Sequence, residues 1–180
     1  MRARSRLIKG GNHHELGELT MKKVIAALLV SALLAPVTIA SAATPKTSDL
    51  VKPIHQFIDG FNTGDTKSAF AAYATGDVSI IDEFAPHAWM GPDAAKAWAA
   101  EYDKHAADNG ITDGIVKYGK PRRIEVEGDV AYVIVPTVYT YKEKGKPIAE
   151  EGQMTFALKA APDWKITAWT WSGVKPHPAK

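Results

Sequence analysis

An acidic residue at the end of a short apolar strand is the first candidate for chemistry in this 180-residue chain. Residues 77–82 are rich in β-branched side chains, which predicts a strand that ends at Asp82. A carboxylate at this place can act as a general base or as the main polar contact of a mostly apolar pocket. The alternative is an aspartate that only caps amides of the following loop. Asp82 is therefore the first candidate catalytic residue, with the capping role still open.

The following segment, residues 83–90, is predicted to be a loop and carries a second candidate acid or base, His87. The alternative for His87 is an exposed loop histidine. His55 lies beside the apolar stripe of the first predicted helix and is more typical of a solvated or core-edge histidine. Asp82 and His87 lack a third ligand at a recognisable spacing, so we predict neither a metal site nor a cofactor.

Aromatic residues supply the candidate walls of a pocket. Trp169 and Trp171 project from the same face of the last predicted strand, because side chains alternate along a strand. If that face is concave, the indoles line a pocket that selects flat or apolar ligands. If it is convex, they form an apolar patch for a dimer. Tyr139 and Tyr141 pose the same alternative.

The elements that must position these residues are helices first and long strands after. Strands of about twelve residues exceed the usual five or six and indicate a long, curved sheet. This order predicts an α+β domain, in which a curved antiparallel sheet wraps around the N-terminal helices as a cone with a central pocket. The predicted helices are 50–61, 66–73 and 94–107, and the predicted strands are 77–82, 111–118, 122–127, 130–141, 148–159 and 164–174.

Helix starts are predicted from capping residues. Thr47 or Ser48 is the candidate cap of the first helix, whose regular part is expected to begin near Lys52 because a proline follows it. Asp65 is the candidate cap of the second helix, and Pro92 is predicted at the first position of the third. The third helix brings Trp98, Tyr102 and His105 to one face through spacings of four and three residues.

The N-terminal part of the chain reads as a secretory signal. Residues 21–43 begin with Met21-Lys22-Lys23, continue with an apolar stretch and end in small residues, which predicts cleavage after Ala42 or Ala43. The alternative is a membrane anchor, but spanning a bilayer takes about 20 apolar residues and this run is shorter. We therefore predict a periplasmic or secreted protein. Residues 1–20 are predicted to be a non-native upstream extension, 44–49 a linker, 50–174 the domain and 175–180 a tail.

The amino-acid composition limits the kinds of chemistry and of binding partner that we expect for the chain. The chain has no cysteine, which excludes disulfide and thiolate chemistry. Six of its 22 Lys and Arg residues and two of its 20 Asp and Glu residues lie in residues 1–43. The remainder is mildly acidic and has no basic tract, so we predict no nucleic-acid partner, and no membrane partner after cleavage of the signal.

Seven short segments along the chain, in a fixed order, carry a family resemblance: FNTGD (61–65), AAY (71–73), IDEF (81–84), WMG (89–91), VEGDVAY (126–132), WKI (164–166) and WTWS (169–172). Together they resemble SnoaL-like and ketosteroid-isomerase-like members of the nuclear transport factor 2-like superfamily, over residues 50–173. The resemblance implies a cystatin-like roll and a homodimer. It implies no single activity, because the superfamily holds isomerases, dehydratases, cyclases, epoxide hydrolases and non-catalytic binders.

The resemblance also suggests roles for particular residues. Asp82 falls where ketosteroid isomerases keep their general-base aspartate. The position of their donor tyrosine corresponds to Phe57, which has no hydroxyl, and the position of their protonated aspartate falls near Thr155. Loss of one oxyanion donor typically costs about 10²–10³ in rate, so steroid isomerase activity of the usual kind is not expected.

The sequence thus predicts an exported domain that binds a small, mostly apolar molecule in a conical pocket. Asp82 would abstract a proton or assist hydration or dehydration there, without a metal. The alternative is a non-catalytic binding or protein-interaction domain that is dimeric through its sheet. The candidate catalytic residues are Asp82 and His87, and the candidate ligand-binding residues are Phe57, Tyr73, Trp89, Trp98, Tyr102, Thr155, Trp169 and Trp171.

Overall fold

The computed structural model describes residues 44–179, so the predicted extension and signal peptide lie outside the described residues. Within residues 44–179 no helix combines the length and apolar character needed to cross a bilayer. The described helices are α1 (Thr47–Thr63), α2 (Thr66–Ala71) and α3 (Ala94–Asn109), and the described strands are β1 (Val78–Ile81), β2 (Ala88–Gly91), β3 (Ile111–Tyr118), β4 (Arg123–Glu127), β5 (Val130–Glu143), β6 (Lys146–Ala160), β7 (Trp164–Gly173) and β8 (His177–Pro178).

The strands form one curved, open sheet in the order β2-β1-β7-β6-β5-β3. Strand β5 is long enough to pair with β4 along its first part and with β3 along its second. The predicted α+β architecture, with a curved and mostly antiparallel sheet around N-terminal helices, is confirmed. One pairing departs from the prediction, because β1 lies parallel to β7.

The core lies between helix α1 and the concave face of the sheet. The predicted apolar stripe of α1 is buried, with Leu50, Ile54 and Ile58 each at most 1% exposed. The sheet meets it with side chains from alternate positions of β5 and β6, such as Val133 and Phe156. Hydrophobic burial of this stripe is what keeps α1 against the sheet.

A paired hydrogen bond fixes the end of α1 to edge strand β3. The amide of Asn62 donates to the Val116 carbonyl and accepts from the Val116 amide, with both distances 2.8 Å. This bond orients the pocket-facing part of β3 relative to the helix.

Helix α1 begins earlier than predicted, inside the expected linker 44–49. Its cap is Lys46, whose backbone amide donates to the Asp49 carboxylate, so the prediction of Thr47 or Ser48 as cap was wrong. Pro53 lies inside the helix rather than before its regular part. A proline removes a single hydrogen bond near the N-terminus, and the buried apolar stripe on both sides of it outweighs that loss.

Three other boundaries differ from the prediction. The predicted loop 83–90 contains the start of strand β2, which pairs with β1 in a hairpin. Helix α3 begins at Ala94, with Asp93 rather than Pro92 before its first residue. The predicted tail contains β8, which pairs with β6. Asp65 caps α2 as predicted, since its carboxylate accepts from the Ser68 amide at 2.9 Å, although α2 ends at Ala71.

Candidate functional site

A pocket of about 100 Å³ opens between α1, α3 and the concave face of the sheet. Most of its wall is aromatic or aliphatic, and the polar side chains in it are few, as in small-molecule sites generally. The lining residues are Phe57, Ile58, Phe61, Asp82, Glu83, Phe84, Trp98, Tyr102, His105, Ile111, Val116, Tyr139, Tyr141, Met154, Trp169 and Trp171.

Asp82 stands in this wall directly after strand β1. Its Oδ2 accepts a hydrogen bond from the Trp98 indole at 2.8 Å, and its Oδ1 accepts one from the Glu83 amide at 2.8 Å. Loss of water around the carboxyl raises the pKa of Asp82 to about 6, against the opposing effect of the Trp98 hydrogen bond. Asp82 is therefore held in one orientation and remains ionised at neutral pH, yet it accepts a proton far more readily than an exposed aspartate.

Two tyrosine hydroxyls form a hydrogen-bonded pair in the same pocket. Tyr102 from α3 and Tyr139 from β5 contact each other through their hydroxyl oxygens. Burial raises the pKa of both phenols, so both stay protonated at neutral pH. The pair uses one of its two protons internally and can donate the other to a ligand. Gly114 of β3 leaves room for the pair, because a β-carbon there would lie 2.8 Å from the Tyr139 hydroxyl.

A second acidic group lies behind the pocket wall, beside Trp171. Glu150 is 0% exposed, and its Oε1 accepts from the Trp171 indole at 3.1 Å. Glu83 is an exposed residue of the pocket wall, and Glu150 and Trp171 are near enough to its carboxyl to affect its protonation. Desolvation and the neighbouring Glu150 carboxyl raise the pKa of Glu83 to about 7. Neither glutamate was predicted as a site residue, although Glu150 shares the inward register of Met154 and Phe156 in β6.

Five predicted ligand-binding residues lie in the pocket wall. Trp169 and Trp171 are on the concave face of β7. Of the two alternatives for these indoles, a pocket wall or a convex apolar patch, the structure therefore has the pocket wall. Trp98 and Tyr102 line the pocket from α3, together with His105, as their shared helix face predicts. The fifth residue is Phe57 of α1, whose ring lies 5.5 Å from that of Trp169 between centroids.

Four other predicted site residues lie elsewhere. Tyr73 is buried behind the wall, where its hydroxyl accepts from the Trp169 indole at 2.7 Å. Trp89 packs in the core against Phe84. His87 is exposed in a turn with a φ of 74° and is not among the residues that line the pocket, although its Nδ1 lies 3.3 Å from the Asp82 carbonyl oxygen. Thr155 lies between two inward-facing residues of β6 and is therefore on the outer face of the sheet, so it cannot serve as a donor in the pocket.

No group of three or more His, Cys, Asp or Glu side chains with metal-binding geometry occurs within residues 44–179. The polar side chains that line the pocket are Asp82, Glu83, His105 and the tyrosines. Asp82 is the lining carboxylate whose orientation is fixed by the Trp98 indole of helix α3.

Replacing Trp98 by Phe should raise the pKa of Asp82 above about 6. The indole N–H stabilises the ionised carboxylate, and phenylalanine keeps the ring but not the donor. The measurement is a pH titration of the Asp82 carboxyl by ¹³C NMR. Trp164→Phe is the matched control, since Trp164 is not in the pocket wall. An unchanged or lowered pKa in Trp98→Phe would show that the indole does not stabilise the charged form.

No model of a protein family matches the chain, and no curated protein matches it significantly. Solved structures do match. A ketosteroid isomerase-like protein from Erwinia carotovora atroseptica SCRI1043 is 20% identical, with 72% of this chain and 96% of that chain covered and a TM-score of 0.54. A nuclear transport factor 2-like superfamily protein from Salmonella enterica serovar Typhimurium is 17% identical, with 74% and 91% covered and a TM-score of 0.58.

A further match is an NTF2-like protein with a cystatin-like fold from Novosphingobium aromaticivorans, which is 16% identical, with 69% of this chain and 79% of that chain covered and a TM-score of 0.55. These similarities confirm the resemblance to the nuclear transport factor 2-like superfamily at the level of the fold. At these identities they establish a shared fold and not a shared activity.

Proposed function

We propose that this chain, which has the nuclear transport factor 2-like fold, is an exported protein that binds a small, mostly apolar molecule in its pocket and uses Asp82 as a general base. The observation that carries the proposal is the state of Asp82. Its carboxylate is desolvated, has a pKa raised to about 6, and is oriented by the Trp98 indole in a wall of aromatic side chains. A base of this kind is suited to proton transfer near neutral pH.

The tyrosine pair supports proton abstraction next to a carbonyl. Asp82 would take the proton from the carbon, the C–H electrons would form the carbon–carbon double bond of an enolate, and the carbonyl oxygen would gain the negative charge. The hydroxyl of the Tyr102–Tyr139 pair whose proton is not used within the pair can donate a hydrogen bond to that oxygen. Phe57 and Thr155, which correspond to the two oxyanion donors of ketosteroid isomerases, supply no donor in the pocket. In the proposed reaction the tyrosine pair provides this hydrogen bond instead.

The size of the pocket limits the ligand. A volume of about 100 Å³ is smaller than a cavity of roughly 150 Å³ that accepts benzene. Its opening toward solvent allows part of a ligand to extend outward. The proposed ligand is therefore compact, on the order of a single ring.

Export rests on the leader, residues 21–43, whose charge, apolar stretch and small-residue end form a signal peptide pattern. The proposed mature protein begins at Ala43 or Thr44 and works in the periplasm or outside the cell.

A non-catalytic binding or interaction domain is the second candidate. The observation in its favour is the outer face of strand β5, where the neighbouring Val130 and Tyr132 are 47% and 41% exposed. Adjacent exposed apolar side chains are a feature of interfaces between proteins, and the proposed partner is a second copy of this chain. Sedimentation equilibrium distinguishes the proposed homodimer from a monomer.

Ligand binding is tested with benzyl alcohol, a neutral single-ring probe, and the mature domain. The indoles of Trp98, Trp169 and Trp171 report occupancy through their fluorescence. We expect saturable binding with a dissociation constant in roughly the millimolar range, because a compact ligand makes few contacts. Met154→Phe should weaken binding by filling the pocket, whereas Thr155→Phe should leave it unchanged on the outer face. Absence of saturable binding, or equal loss in both variants, would overturn the proposed function.

A further inference from the structure

The Glu83–Glu150 pair has no role in the proton abstraction proposed for Asp82. Two carboxyls in contact repel each other when both are ionised, and burial makes that repulsion stronger. A protein keeps such a pair only at a cost in stability, unless something of opposite charge binds there.

Within residues 44–179 neither carboxyl forms an ion pair with a lysine or arginine. The Oε1 of Glu150 accepts from the neutral indole of Trp171, and its Oε2 is buried without a hydrogen-bond partner among the described residues. Glu151, the next residue, shows the contrast, because it faces outward and pairs with His177 at 2.8 Å. The buried glutamate is thus the one left with unused acceptor capacity.

The backbone around Glu150 is shaped to hold it. A β-carbon at Gly173 would overlap the Glu150 Oε1 atom and would lie 2.6 Å from the Trp171 indole nitrogen. A β-carbon at Gly152 would lie 3.1 Å from the Trp171 ring. Two glycines therefore make room for the Trp171 indole in the pocket wall and for the Glu150 carboxylate behind it.

Aromatic rings complete the surroundings of the pair. Tyr141 lies close enough to both glutamates for their charges to raise its pKa, alongside the larger effect of burial, and it stacks on Tyr139 at 4.7 Å between centroids. Trp171 lines the same wall. Carboxylates combined with the faces of tyrosine and tryptophan are the groups that recognise an organic ammonium ion.

We propose that Glu83 and Glu150 bind the ammonium group of a small organic amine, whose apolar body lies in the pocket beside Asp82. The inference rests on the proposed function, because it assigns the charged end of the molecule that the pocket holds. The Glu83 carboxylate, which lines the pocket, would accept a hydrogen bond from the ammonium N–H, and the buried Glu150 carboxylate behind Trp171 would add negative charge. The indole of Trp171 and the phenol of Tyr141 would lie against the cation.

The test compares benzylammonium with benzyl alcohol, which has the same shape without the charge, in the mature domain at pH 8. Benzylammonium should bind at least about tenfold more tightly, since it gains charge-assisted hydrogen bonds. Glu150→Gln should remove that advantage and leave benzyl alcohol within about twofold of the wild type. Glu83→Gln is the second variant, and the exposed Glu151→Gln is the matched control that should change neither affinity.

Acid should weaken the binding of benzylammonium by about thirtyfold between pH 8 and pH 5.5, because Glu83 must be ionised and its pKa is about 7. The groups that face Glu83 are Glu150 from β6, His105 from α3, Trp171 from β7 and Tyr141 from β5. Benzyl alcohol should show no such dependence.

The outcomes separate the two proposals. Benzyl alcohol binding as tightly as benzylammonium, or an advantage that survives Glu150→Gln and Glu83→Gln, would overturn the amine assignment and leave the proposed function standing. Failure of both probes to bind would overturn both. Tighter binding in the wild type, lost in the two glutamine variants and kept in Glu151→Gln, would establish the amine site.

Discussion

Replacing Asp82 by Asn is expected to reduce proton abstraction by about 10²–10⁴-fold, the usual contribution of a positioned general base. A suitable probe is cyclohexanone in D₂O, a compact ketone whose α-hydrogens are replaced by deuterium when a base removes them. Asparagine keeps an oxygen that can accept from the Trp98 indole, but it cannot take up the proton. The rate of deuterium incorporation, followed by NMR, is the measurement.

The fold should survive the Asp82→Asn substitution. The folded-state pKa of Asp82 is raised from 3.8 to about 6, so the folded state disfavours the charged form. The stability that the carboxyl contributes is therefore present below pH 3.8 and is lost as the pH rises through 6. Asp82→Asn should stay within about 1 kcal/mol of the wild type at pH 8. Asp129→Asn, at an exposed turn, is the control; if both variants exchange deuterium at the wild-type rate, Asp82 is not the base.

Truncation of Phe156 to Ala should cost about 3–5 kcal/mol of stability, the largest effect expected in the core. Phe156 is 0% exposed and stands opposite Val133 of β5 and Trp169 of β7 in the sheet register. Its removal opens a cavity directly beneath the pocket wall. The free energy of unfolding from urea titration is the measurement, and Phe156→Leu, with a smaller loss, serves if the alanine variant does not fold.

Thr155→Ala is the matched control for Phe156→Ala, since it changes the adjacent residue on the outer face and should cost at most about 1 kcal/mol. A shift of one residue in the strand register would exchange the faces of β6. Similar losses at the two positions, or a larger loss at Thr155, would therefore contradict the register and return Thr155 to the pocket side.

Much of the fold follows from local patterns. The spacing of Leu50, Ile54 and Ile58 defines the buried face of α1, and the same reasoning places Trp98 and Tyr102 together on α3. Strand β3 begins and ends at the predicted residues, because Gly110 and Gly119 bound it on both sides. Helix and strand periodicity are local properties, so they can be read from neighbouring residues alone.

Pairings between distant segments could not be predicted in the same way. Strands β1 and β7 pair in parallel although they are more than 80 residues apart in the sequence. No local sequence pattern indicates this pairing. The hydroxyl contact joins Tyr102 to Tyr139, 37 residues apart. The register of strand pairing determines such contacts. Thr155 was predicted to face the pocket and lies on the outer face of β6, so a resemblance in sequence does not determine which face a strand residue occupies.

The candidate site was therefore only partly predictable. Asp82 could be identified because it directly follows a short run of apolar, β-branched residues that predicts a strand. Glu150 was not predicted as a site residue, although one of the two neighbouring strand residues Glu150 and Glu151 must face inward. Its environment depends on Glu83 and Trp171, which approach it from other parts of the sheet.

The most direct test of the central claim is a titration of the Asp82 carboxyl by ¹³C NMR, with and without saturating benzyl alcohol, and with Asp82→Asn to assign the resonance. A desolvated carboxylate in a ligand pocket predicts a pKa of about 6 in the free protein and a further rise when the probe displaces water. A pKa near 4 that does not respond to benzyl alcohol would contradict the account.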